Sequence, residues 1–149
     1  MIAKRISAMS VIEAVDLKAG PRPGDILALQ RAAFLRAGPP DLRERKDDIK
    51  RLRAAIKQEA EKIASVISAD FGNRSRHETL LADVWPVVTS ARETLKHLAS
   101  WMKPKRVGVG LELLPGRACI LYQPIGVVGI ISPWNYPFQL ALMPLIAAL

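Results

Sequence analysis

Residues 118–149 contain no charged side chain. Nothing else in the chain restricts its fold as much. A run of 32 such residues is long enough to span a bilayer. Pro124, Pro133, Pro137 and Pro144 cut it into pieces, and Gln123, Asn135 and Gln139 add polar groups to them. A membrane span is therefore not expected. The longest piece, "IGVVGIIS" at 125–132, has the length of a strand. A continuous apolar run of this kind suits a strand buried on both faces, as in a parallel sheet covered by helices. "FQLALMPLIAAL" at 138–149 reads as the helix that follows, bent at Pro144. Strand, loop and helix in that order are the first half of a βαβ unit.

The residues before this run read differently. Residues 1–24 form a weakly structured lead-in closed by "GPRPG", and 25–149 form one domain. In "DILALQRAAFLRAG", Asp25 is the expected N-cap and Gly38 the expected stop. Asp41 caps a second, long helix to about Ala69, with Ile49, Leu52, Ile56, Ile63 and Val66 on one stripe. "DFGNRS" ends it, Gly72 or Asn73 taking the left-handed position. A third helix is expected from about Ser75 to Met102, with a seam of Leu81, Val84, Val88, Ala91, Leu95, Leu98 and Met102. Pro86 should kink or restart it. "VGVGLELLPG" and "RACILYQP" read as short strands, paired with each other. The fold class is α/β: N-terminal helices, a hairpin-like segment, then the first strand, loop and helix of a Rossmann-like domain.

The net charge of +8 raises nucleic acid as a partner. The basic residues at 42–62 are interleaved with Glu44, Asp47, Asp48, Glu59 and Glu61, the pattern of a solvated helix face with i,i+4 pairs. No aromatic is interleaved for base stacking, so no nucleic-acid partner is expected. A single cysteine, Cys119, allows neither an internal disulfide nor a cysteine zinc site, which points to a reducing, cytoplasmic compartment. Glu13 and Asp16 break the early apolar residues, and no secretory signal is expected. Cys119 lies on an apolar stretch read as a strand, with no His or cationic residue next to it to activate it, so a buried structural thiol is expected.

The loop "SPWNYP" at 132–137 can be read as a turn in which Asn135 satisfies local backbone. Its position, just past a buried strand, is also where open α/β sheets bind ligands. "YQPIGVVGIISPWNYPFQLALMPLIAAL" resembles the start of the NAD(P)-binding domain in the aldehyde dehydrogenase superfamily. "FLRAGPP", "ADFGNRSRHETLLADVWPV" and "WMKPKRV" are similar to its coniferyl-aldehyde-dehydrogenase-like branch, and the resemblance covers residues 26–149.

The resemblance implies an oxidoreductase that converts a small aldehyde to its acid with NAD or NADP. A cysteine thiolate attacks the aldehyde, and a glutamate activates the water that releases the acid. Asn135 matches the asparagine that donates to the oxyanion. Ile131, Ser132 and Trp134 match the segment lining the nicotinamide side of the cofactor cleft, and Tyr136 falls near the substrate entrance. Trp134 and Tyr136 as plain packing groups remain an alternative. No metal is implied, and full-length members are expected to be homo-oligomeric. The sequence stops short of the nucleophile and the base, so the chain reads as an N-terminal fragment, inactive alone. The alternative is a non-catalytic interaction module that pairs with full-length relatives.

Overall fold

The computed structural model describes residues 22–149; the lead-in expected at 1–24 lies largely outside them. The chain divides into two units, Met1–Gly38 and Pro39–Leu149. In the first, α1 (Pro23–Ala37) starts earlier than expected. Arg22 is the N-cap and Pro23 opens the helix, where its missing N–H costs nothing. Asp25 is not the cap: it sits in the first turn, 3.1 Å from the Arg22 guanidinium. Gly38, at φ +72°, stops the helix as expected, its N–H donating to the Phe34 carbonyl.

The second unit begins with a reciprocal cap. Asp41 accepts from the Glu44 N–H at 2.8 Å, and Glu44 accepts from the Asp41 N–H at 3.0 Å. Two orphan donors at the start of α2 (Leu42–Gln58) are thereby satisfied. The long helix expected to Ala69 is divided at Glu59, and α3 (Ala60–Asp70) continues it. Ile49 and Ile56 are buried as expected; beyond the division Ala64 and Ile67 point inward, leaving Val66 exposed. Gly72 (φ +66°) and Asn73 (φ +97°) both take the left-handed conformation that turns the chain.

The third helix is interrupted near Pro86, as expected, and the interruption has a definite form. A four-residue turn, α4 (Arg76–Thr79), runs into a π-helical turn at Leu80–Val84, then into α5 (Trp85–Trp101). Pro86 lacks an N–H and its ring crowds the carbonyl four residues back, so the preceding turn widens to the i→i+5 pattern. The wider turn buries two consecutive residues, Asp83 and Val84. The seam shifts with it. Val84, Val87, Ala91 and Leu98 are buried, Val88 and Leu95 are partly buried, and Leu81 and Met102 are exposed.

Two short strands follow. β1 (Lys105–Val107) pairs antiparallel with β2 (Ala118–Ile120), Arg106 opposite Cys119. The pairing matches expectation, but the first strand lies earlier, and most of "VGVGLELLPG" is a loop around a 3₁₀ turn at Leu111–Leu113. Both strands are exposed along their length. Cys119 is a free, exposed thiol and not the buried one expected, because two strands alone cover neither face of each other.

The stretch 125–132 also departs from expectation. It has no regular secondary structure, Ile125 and Ile131 are almost fully exposed, and no second strand lies beside it among the described residues. A ladder needs a neighbour to receive its N–H and C=O groups. The parallel Rossmann pairing is therefore not formed here.

The last helix, α6 (Pro137–Ala148), contains Pro144. It packs on α5 and the π turn, and α2 also packs on α5. Ile146 joins Ile49, Ile56, Val84, Val87, Ala91 and Leu98 in one apolar cluster, with Phe138, Leu142 and Met143 packed around it. No described helix is long and apolar enough to cross a membrane.

Candidate functional site

The loop at 132–136 is built from the start of α6 backward. Pro137 begins that helix with its φ preset. The Ser132 hydroxyl lies 2.9 Å from the Pro137 carbonyl and 3.2 Å from that of Pro133, folding the loop back onto the first turn. Tyr136 is the N-cap residue, yet its side chain caps nothing. The cap comes from another element. Asp83, in the π turn, accepts the Gln139 N–H at 3.0 Å. This sets a carboxylate at the N-terminus of α6, where orphan donors and the helix dipole favour negative charge. The other end is held as well: Arg45 donates to the Leu149 carbonyl at 2.8 Å and to the Pro40 carbonyl at 3.0 Å.

Arg74 joins the loop to Asp83. Its Nη1 donates to the Asn135 backbone carbonyl at 3.0 Å. Its guanidinium carbon lies 4.8 Å from the centre of the Tyr136 ring and 5.1 Å from that of Phe71, within cation–π range. Its Nη2 is 3.3 Å from both Asp83 Oδ2 and Glu78 Oε1. Those contacts are close in charge but poorly aligned: Nη2, Nε and Asp83 Oδ2 make no directed hydrogen bond among the described residues. The Arg74 side chain is 6% exposed and that of Asp83 0%.

The expected site residues divide into two groups. Asn135 and Tyr136 are brought together on Arg74. The Asn135 side chain is exposed, and its amide has no protein partner among the described residues, so both its donors are available. Ile131 and Trp134 stand in solvent at 97% and 80% exposure, and Ser132 is half-buried with its hydroxyl engaged. Ile131 and Trp134 offer apolar faces of the kind a nicotinamide ring stacks on. Residues 118–149 hold no cation for a diphosphate. The fit is thus to one face of the ring. Two shallow hollows elsewhere, one on α2 and one between α3 and Arg76, include none of the loop residues. No metal-holding cluster of His, Cys, Asp or Glu occurs among the described residues.

The groups with shifted acidity also lie away from the loop. A hydrogen bond from Arg76 holds the Glu61 carboxyl below its usual range and raises Arg76 in turn. Lys50 does the same to Asp47. Sequence reasoning missed Arg74 and Asp83. The available signal was a single carboxylate in the apolar stretch "LLADVWPVV", one helical turn before Val87 on the buried face.

Residues 26–149 match the aldehyde dehydrogenase family. A probable coniferyl aldehyde dehydrogenase of Pseudomonas aeruginosa is 43% identical over 124 residues, covering 83% of this chain and 26% of that protein. A 4,4'-diaponeurosporen-aldehyde dehydrogenase of Staphylococcus aureus is 34% identical, covering 80% of this chain and 26% of its own. The solved substrate-bound state of Staphylococcus aureus AldH superposes with a TM-score of 0.80 at 31% identity, covering 86% of this chain and 28% of that one. The chain spans about a quarter of the length of the curated relatives it matches. With its own residues matched from 26 to 149, the chain belongs to the aldehyde dehydrogenase family.

Proposed function

We propose that this chain supplies the oxyanion wall of an NAD(P)-dependent aldehyde dehydrogenase, with Asn135 as the donor. The observation that carries the reading is the state of Asn135: its backbone carbonyl is held by Arg74 while its exposed side-chain amide has no partner among the described residues. When a thiolate adds to an aldehyde carbon, the carbonyl oxygen gains a full negative charge. An amide N–H already fixed at that oxygen stabilises the charge without reorganising, an effect of roughly 3 kcal/mol. Tyr136, tied to Arg74, stands at the substrate side. Ile131, Ser132 and Trp134 form one wall for the nicotinamide ring. NAD or NADP, when bound, supplies the hydride acceptor. The thiolate and the water-activating glutamate are not among these residues in this reading.

The substrate proposed is an aromatic aldehyde of the coniferyl type, in keeping with the names of two similar Pseudomonas proteins. A cytoplasmic setting rests on the single, unpaired cysteine. Homo-oligomeric assembly is carried over from the family resemblance. The 149-residue chain alone is expected to show no NAD(P)-dependent oxidation of cinnamyl-type aldehydes. A chimera in which residues 26–149 replace the matching quarter of the Pseudomonas aeruginosa relative is expected to regain it. Turnover by the isolated chain, or a folded chimera with no activity, would overturn the reading.

A second reading is favoured by the exposed apolar stretch around Ile125 and Ile131, which pairs with no strand among the described residues: a non-catalytic module that pairs with a complete relative. Its test is co-purification with such a relative. A chain that ignores that partner would remove it.

A further inference from the structure

We propose that Arg74 and Asp83 are the positioning pair of the Asn135 loop. The inference rests on the oxyanion reading above for its purpose, and on geometry alone for its existence. Both charges are buried, which is unfavourable unless each is compensated. Much of the compensation comes from the loop and the helix it leads into. Arg74 holds the Asn135 carbonyl and faces the Tyr136 ring, and Asp83 holds the Gln139 N–H. These anchors at 135, 136 and 139 bracket the Asn135 side chain and leave its amide unused. A donor held by its own backbone presents its N–H groups without spending them.

The local backbone serves the same arrangement. Arg74 follows the left-handed pair Gly72 and Asn73, and Asp83 lies in the widened turn before Pro86. In a regular α-helix that turn would be narrower, and Asp83 and Val84 would not share one buried face so readily. The misaligned contact between Nη2 and Oδ2 means that charge, not a directed hydrogen bond, joins the pair. The directed hydrogen bonds go outward, to Asn135 and Gln139.

The test follows amide hydrogen exchange at Gln139 and Ile49, and NMR relaxation of the Asn135 side-chain amide, in the 149-residue chain. Ile49, fully buried, is the internal reference. Arg74→Met is expected to release Asn135 to the relaxation of a free loop tip and to speed Gln139 exchange by about tenfold, with Ile49 unchanged. Arg74→Lys restores a charge beside Asp83 but not the planar contact with Tyr136. It should recover Gln139 protection and leave Asn135 mobile. If Arg74→Met does not fold, Arg74→Lys decides by its own signature, a mobile Asn135 beside a protected Gln139.

Two outcomes overturn the inference. One is wild-type relaxation of Asn135 in either variant. The other is equal loss of protection at Gln139 and Ile49, which would make the pair a general stabiliser of the fold. No turnover enters this test. Loss of the clamp would leave the oxyanion reading standing, and an inert Asn135 in the chimera would leave the clamp standing.

Discussion

Ile131 and Ile146 come from the same uncharged stretch, yet one is 97% exposed and the other 1%. The difference lies in what each meets. Ile146 is on a helix that satisfies its own backbone, so it needs only an apolar surface, and α5 and the π turn supply one. Ile131 belongs to an irregular apolar stretch whose backbone groups would need a neighbouring strand to be buried. Among the described residues that neighbour is missing. A helix can be completed by side-chain packing, whereas a buried strand must also be completed by main chain. The loop with Asn135 stands between these two regions and takes its order from the helical side.

The comparison can be broken at several points. The largest effect is expected where charge is buried. Asp83→Ala leaves the buried Arg74 with only the exposed Glu78 as a carboxylate partner and leaves α6 uncapped, and denaturant melts should show a loss of about 3–5 kcal/mol. Ile146→Ala should cost about 2–5 kcal/mol by the same melts, the range for an aliphatic side chain removed from a close-packed core. Asp41→Ala removes one half of the reciprocal cap on α2 and should cost about 1 kcal/mol. Ile131→Ala should change stability by less than about 0.5 kcal/mol, since its side chain already stands in solvent. An Ile131 effect as large as that of Ile146 would end the contrast between the two regions.

The smallest effect concerns pH. Arg76 holds the folded-state Glu61 carboxyl below its ordinary value of 4.5. A depressed folded pKa stabilises the native state fully above that ordinary value, and the contribution is lost as pH falls through the folded one. Acid melts should therefore show a small destabilisation below pH 4.5 that Glu61→Gln removes. The pair is on the surface, so salt should weaken it too.

The helical part was legible because its signals are local. Asp41 as a cap, Gly38 as a stop and Pro86 as an interruption each follow from one or two residues. The form of the interruption was not legible. Pro86 announces a break, but a π turn that buries Asp83 depends on what α6 offers to meet it. The same holds for the seam, which moved to include Val87 once the turn had widened. Apolar composition predicted a buried strand at 125–132 and a buried Cys119. Both need partners far away in sequence, and composition carries no information about those.

The site was half legible. The loop was singled out by its place after an apolar run, and Asn135 was nominated as a donor through resemblance, neither through periodicity. Arg74 was invisible among 22 basic residues, most of them solvated. Its selection comes from three-dimensional proximity to a ring, a carbonyl and a carboxylate, which no spacing rule encodes.

The most direct measurement is steady-state aldehyde oxidation by the chimera that carries residues 26–149, with Asn135 and with Asn135→Ala. An oxyanion donor acts in the transition state and hardly at all on the bound aldehyde. The prediction is therefore a fall in kcat of about 10²–10³ with KM nearly unchanged. An Asn135→Ala chimera that keeps its kcat would contradict the account.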